Sequence, residues 1–251
     1  MITRPLIEAC VDSLESSVIA IDAGADRLEL NSAIAVGGLT PSIKLLSQVK
    51  KVTSKPVICM IRSRIGNFSY SIAEFEQMLD DAANLLNTGA DGLAFGFVQL
   101  DGQIDKRRTE KFAELCRDKE SVFHRAIDCT NDISLALKQL IDLGISRVLT
   151  SGGAATAEAG LETISKLVSL ASDRIEILPG SGIKGDNVVS IVTQSGCNQV
   201  HGTFSRIETP DTDFEPPINF NEVVGLKPND RIVACAKSIQ EVIAQFTPAT
   251  N

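Results

Sequence analysis

The chain contains two histidines, and each lies at the end of an apolar run of strand length. His124 falls in Val122-Phe123-His124-Arg125-Ala126-Ile127-Asp128, and His201 in Gln199-Val200-His201-Gly202. Imidazole titrates near neutrality, which suits it to acid, base or ligand roles. Three more apolar runs end in complementary groups: Ile7-Glu8-Ala9-Cys10, Leu28-Glu29-Leu30-Asn31 and Met60-Ile61-Arg62. Alternate residues of a strand share a face, so Glu8 goes with Cys10 and Glu29 with Asn31. Two carboxylates and an arginine then converge. They form a structural ion-pair network, because a buried carboxylate requires a partner, or a site in which Arg62 holds an anion and a carboxylate acts as base or metal ligand, or both together. By alternation His124 and Asp128 share a face that Arg125 opposes, but strand ends twist. The pattern does not decide whether His124 or Arg125 points inward.

These groups share a site only if the strands that carry them end on one side of the fold. Eight strand-length runs alternate with segments of helical periodicity. The strands are expected at 6–11, 27–31, 56–62, 92–97, 121–127, 147–151, 175–179 and 199–202, and the helices at 13–23, 42–52, 72–87, 105–116, 133–143, 157–172, 186–194 and 229–246. Four helix-to-strand junctions repeat a glycine, at Gly24, Gly89, Gly144 and Gly196, each followed two places later by Asp26, Asp91, Ser146 or Asn198. Each interval spans two βα units, as in a barrel built from four similar quarters. The chain reads as a single (β/α)8 TIM barrel over 1–251, close to the roughly 250 residues typical of that fold. Barrel enzymes work at the C-terminal ends of their strands, where all the groups above fall.

Strands six and seven run into glycine turns, Ser151-Gly152-Gly153 and Gly180-Ser181-Gly182. Glycine lets backbone N–H groups approach an anion, and TIM barrels often hold phosphate near the last strands. Ser151, Gly152, Gly180, Ser181 and Gly182 therefore join Arg62, Arg125 and His201 as expected ligand contacts, while Glu8, Glu29, His124 and Asp128 are the expected acids, bases or divalent-metal ligands. No lysine ends a strand, which disfavours Schiff-base chemistry, and no nucleotide-binding glycine motif follows the first strand. The segment 204–228, with Pro210, Pro216, Pro217 and Pro228, reads as a long loop over the barrel mouth or at a subunit contact.

Composition removes other classes. A net charge of −8 leaves no basic face for nucleic acid, and no apolar run approaches the roughly 18 residues that cross a bilayer. The six cysteines are scattered without a Cys-x-x-Cys pair, and no signal segment opens the chain, so they read as reduced thiols of a cytoplasmic protein.

Several ordered blocks resemble the CutC family: Ile7-Glu8-Ala9-Cys10-Val11-Asp12-Ser13, Gly24-Ala25-Asp26-Arg27-Leu28-Glu29-Leu30, Gly37-Gly38-Leu39-Thr40-Pro41-Ser42, Met60-Ile61-Arg62, Phe123-His124-Arg125-Ala126 with Asp128, and Arg147-Val148-Leu149-Thr150-Ser151-Gly152. The resemblance runs from about Leu6 to His201. It implies a cytoplasmic TIM barrel named for copper homeostasis and usually found as an oligomer, hence an expected homo-oligomer. In some members copper(I) is proposed to lie between two cysteines at the ends of the first two strands. Cys10 matches the first; the second is Asn31 here. Copper(I) is soft and favours sulfur, so the resemblance supplies half a site, and Cys129, just after strand five, is the nearest other sulfur. The implied cofactor is copper(I) or a divalent metal with Cys10 as a ligand. Three functions remain open: copper handling, an enzyme of a small anionic metabolite such as a phosphorylated one, and a barrel that binds without turnover.

Overall fold

A computed structural model describes residues 3–221 and 223–247. Eight parallel strands, β1 (Leu6–Val11), β2 (Arg27–Leu30), β3 (Val57–Met60), β4 (Gly92–Phe95), β5 (Glu120–Phe123), β6 (Arg147–Thr150), β7 (Glu176–Pro179) and β8 (Gln199–Gly202), form one sheet. They run in the order β7-β6-β5-β4-β3-β2-β1-β8. A parallel bridge between Gly180 and His201 closes the ring, giving the expected (β/α)8 barrel.

The helices alternate with the strands: α1 (Leu14–Asp22), α2 (Ile43–Val52), α3 (Ile72–Thr88), α4 (Lys106–Leu115), α5 (Ile133–Asp142), α6 (Leu161–Ala171), α7 (Val188–Ser195) and, after β8, α8 (Ala236–Ala244). Their apolar stripes and the outward residues of the strands build the main core, which includes Leu28, Phe95, Phe112 and Phe123. Inside the ring, Ile58, Met60, Ala94, Val122, Leu149 and Leu178 form a second, smaller apolar cluster.

The recurring helix-to-strand junction has a structural job. Gly24, Gly89, Gly144 and Gly196 all take positive φ, the conformation that ends a helix most cheaply in glycine. Two places on, Asp26 accepts from the Ile7 N–H at 2.9 Å, Asp91 from Val57 at 2.8 Å and Ser146 from Ser121 at 2.8 Å. Each ties the start of an even strand to its odd neighbour. At the fourth junction the Asn198 carbonyl serves instead, accepting from Leu6 at 2.9 Å.

Three expectations change. The fifth strand ends at Phe123, and Arg125–Cys129 form a 3-10 turn, because the His124 side chain accepts from the Ala126 N–H and curls the chain. Alternation beyond Phe123 therefore carries no information. The sixth helix starts at Leu161 rather than 157, since the residues before it are tied to the turn after β7: the Ala157 N–H donates to the Ser181 carbonyl and Ser181 Oγ to the Ala155 carbonyl. The segment 204–228 does not begin as a loop. Ser205–Glu208 form β9, paired antiparallel with β10 (Arg231–Ala234), so the expected final helix is preceded by a strand. The ribbon is fixed to α1 by Ala234 N–H on Ser16 Oγ at 3.1 Å and by Arg231 on Glu15 at 2.9 Å.

Candidate functional site

Strand alternation turns Glu8 and Cys10, Arg27 and Glu29, and Gln199 and His201 toward the barrel interior, opposite its apolar cluster. A buried polar chain results. Arg27 donates through Nε to Glu8 Oε2 and through a terminal nitrogen to Gln199 at 2.8 Å. Glu8 Oε1 is 2.8 Å from His201 Nδ1, and His201 Nε2 is 4.0 Å from Glu29 Oε2. Glu29 also accepts from Asn31 Nδ2 at 2.9 Å, and the same nitrogen lies 3.3 Å from Cys10 Sγ. Glu8 and Glu29 are 1% and 2% exposed, so these charges are stabilised by one another and scarcely by water.

The electrostatics divide the two carboxylates. Burial opposes ionisation of Glu8, but the hydrogen bond from His201 and the charge of Arg27 prevail and hold its carboxyl down at about 2. Glu29 moves the other way: burial, reinforced by the Glu8 charge, raises it. Burial works against a charged His201, yet Glu29 and Glu8 together raise it. Glu8 is thus a fixed anion that orients the imidazole, while burial and the neighbouring charges shift both Glu29 and His201 toward their protonated forms. Burial, with Glu29 close by, pushes the Cys10 thiol up well above its ordinary range.

This chain opens onto a cavity of about 980 Å³ at the C-terminal end of the barrel. Cys10, Glu29 and His201 lie on one wall, and Arg62, His124 and Arg125 on another. Both residues that alternation could not assign thus reach the cavity. Arg62 is anchored by the carbonyls of Val36, Gly38 and Gly66, at 3.2, 3.2 and 3.1 Å, so it fixes the loops of the mouth and lends them positive charge. The turn after β7 supplies Ser181, Gly182, Ile183 and Lys184. Among the described residues no protein group accepts from the N–H of Gly182 or Ile183. Phe204 and Ser205, where the β9 excursion departs, also border the mouth.

Other expected site residues lie beside the cavity. Asp128 accepts from the Ser151 and Gly153 N–H groups, both at 3.0 Å, and from Arg125 at 2.9 Å; Gly152 donates to Thr150 Oγ1 at 2.8 Å. The turn after β6 therefore spends its donors on the protein itself. Gly180 backs His201 rather than bordering the cavity; a Cβ there would sit 3.3 Å from the imidazole. Sequence reasoning missed Arg27, read only as part of a strand start. A charged residue with an inward position on a barrel strand was the available signal.

Cys10, Glu29 and His201 can each offer a ligand atom, all within 4.8 Å of one another. Glu8 on His201 Nδ1 leaves Nε2 to face a metal, the usual support for a ligating histidine. The set does not fit copper(I): it has one sulfur, kept as a thiol, with an amide N–H aimed at it. With Cys10 deprotonated on binding, one sulfur, one imidazole and one carboxylate would suit a borderline divalent ion such as zinc(II).

Comparison with known proteins agrees with the fold. A CutC family protein of Treponema denticola is 46% identical over 215 residues, covering 85% of this chain and 87% of that protein. The human copper homeostasis protein cutC homolog is 44% identical over 196 residues, covering 78% of this chain and 72% of its own. A solved structure of CutC from Streptococcus agalactiae superposes with a TM-score of 0.75 at 30% identity, covering 79% of this chain and 98% of the other. Residues 5–206 match the CutC family as a whole, and the chain belongs to it.

Proposed function

We propose that the protein is an enzyme that moves a proton on a small anionic metabolite at the mouth of its barrel. One observation carries the reading: the chain Arg27–Glu8–His201–Glu29 is buried along its length and opens onto the cavity only at the His201–Glu29 end. A buried charge chain is seldom a gain in stability over apolar packing, whereas a fixed anion behind an imidazole is how a general acid–base is oriented. Glu8 fixes Nδ1 of His201, Glu29 takes or returns the proton, and Gly182, Ile183 and Lys184 offer donors and charge to an anionic group. His124 and Arg125 line the opposite wall, and Asp128, through Arg125 and Ser151, holds that wall in shape.

The location is the cytoplasm, in keeping with six unpaired cysteines and with the absence, among the described residues, of a helix long and apolar enough to cross a membrane. The partners are a small molecule and further copies of the chain, neither nucleic acid nor lipid.

A second reading is metal binding, favoured by the Cys10, Glu29 and His201 donors and by the copper homeostasis name of the human relative. One experiment separates the two. Small carboxylated and phosphorylated metabolites are incubated with the protein in D2O, and deuterium incorporation is read by mass spectrometry beside metal analysis. The enzyme reading expects incorporation that Glu29→Gln or His201→Gln reduces at least 100-fold and Cys10→Ala leaves in place. No incorporation from any compound, with stoichiometric metal that Cys10→Ala removes, would select the metal reading.

A further inference from the structure

His124 has a state that its chemistry at the mouth must respect. Its Nδ1 accepts from the Ala126 N–H at 3.1 Å, so the ring proton resides on Nε2. That nitrogen is buried and has no hydrogen-bond partner, although the residue lines the cavity. A buried donor left unmatched forfeits its hydration without compensation, so its persistence at a cavity wall needs a reason.

The ring is also held in place deliberately. Phe68 packs on it with centroids 4.9 Å apart. On the other side the chain provides a glycine, Gly96: a Cβ there would fall 2.5 Å from the ring carbon Cε1 and 2.6 Å from Nδ1. Burial, assisted by the Arg62 charge, lowers the imidazole to about 3, so it remains neutral at physiological pH. A neutral imidazole with its acceptor nitrogen already occupied is neither base nor metal ligand. It is a donor of one hydrogen bond.

We propose that His124 is the oxyanion donor of this site, its Nε2–H holding the carbonyl oxygen of a substrate with a hydrogen on the neighbouring carbon. The inference rests on the proton-moving role of His201 and Glu29 and names the substrate class. The Glu29 carboxylate removes the C–H proton, whose electron pair becomes the new C=C bond. The carbonyl π pair moves onto oxygen, and the resulting enolate oxygen is held by Nε2–H. Return of the proton from Glu29 to carbon restores a carbonyl and leaves the enzyme unchanged. Neither oxidant nor reductant is consumed. Arg62, whose two terminal nitrogens donate to loop carbonyls, adds positive charge to the same wall.

Oxalate, a planar mimic of an enolate beside a carboxylate, is the probe. It is titrated by calorimetry into the wild type, His124→Phe and Glu29→Gln, while the histidine ring signals of the 15N-labelled wild type are followed by NMR. The expected result is wild-type binding with a downfield move of the His124 Nε2–H proton, at least tenfold weaker binding in His124→Phe, and binding retained in Glu29→Gln. Absence of oxalate binding to the wild type, an unmoved Nε2–H signal, or His124→Phe binding within threefold of wild type would overturn the donor role. Because the NMR readout uses the wild type, a poorly folded variant does not blur the answer. Failure of the acid–base reading alone would show as missing deuterium incorporation with the oxalate pattern intact.

Discussion

Replacing Glu8 by glutamine tests whether the buried charge chain is one unit. Glu8 accepts from Arg27 Nε with one oxygen and engages His201 Nδ1 with the other, at 1% exposure. Glutamine keeps one acceptor but turns an NH2 toward either Arg27 or His201, and it leaves Arg27 charged in a dry interior with Gln199 as its remaining partner. Breaking one side of a buried pair costs about 3–5 kcal/mol. A second route gives a similar figure. A carboxyl held at about 2 against an ordinary 4.5 contributes about 3 kcal/mol to folding at neutral pH, present above 4.5 and lost as pH falls toward 2. Urea denaturation of Glu8→Gln at pH 7 should therefore show a loss near 3 kcal/mol with unchanged slope, and a melting temperature lower by roughly 10 °C. The wild type's loss of stability between pH 4.5 and 2 should shrink in the variant. Arg27→Met in the Glu8→Gln background should recover part of the loss, because it removes the stranded charge. A loss under 1 kcal/mol, or losses that simply add in the double variant, would refute the account.

Other outcomes follow from particular contacts. Gly96→Ala should destabilise by about 1–3 kcal/mol in thermal melts, since its Cβ would meet the His124 ring and the Ala126 Cβ, at 2.5 and 2.6 Å, with packing on every side. The two histidines should shape stability against pH in opposite senses. His201, raised by its carboxylates, contributes fully below pH 6.5 and loses that contribution as pH climbs through its folded value; His124, held at about 3, lowers stability by up to about 1.4 kcal/mol per pH unit as pH falls from 6.5 toward 3. Denaturation across pH should show the acid slope flattened in His124→Phe and the alkaline slope flattened in His201→Gln. Asn31→Cys should create copper(I) retention against a chelator where the native chain shows none, because it places a second thiol where an amide now faces Cys10 at 3.3 Å; equal retention by both would contradict the donor argument.

The barrel was legible in the sequence because its signals are local and repeated. Eight apolar runs, helical segments between them and a glycine at every second junction require no knowledge of what lies across the fold. The polar ends of most strands were legible too, since polar residues at the C-terminal ends break an apolar run that the core otherwise demands; β5 was the exception, ended at Phe123 by the turn that His124 forms. Hence Glu8, Glu29, Arg62, His124 and His201 were named as neighbours before any distance was known, and the substitution of Asn31 for a second cysteine was visible in the letters alone. The β9–β10 ribbon was not, because a four-residue strand followed by prolines gives no period to read, and its partner lies beyond a long excursion.

Roles were decided only in three dimensions. Glu8 and Glu29 look alike in sequence, but Arg27 and His201 converge on Glu8 and make it a permanent anion, while Glu29 faces the cavity with Asn31 and a distant imidazole. His124 and His201 look alike as well. One imidazole lies between two carboxylates that favour its protonated form; the other spends its acceptor nitrogen on Ala126 and keeps a single unmatched donor. Residue type and strand position follow from the local chain, but protonation and hydrogen-bond direction depend on partners brought from other strands, and only the closed barrel supplies those.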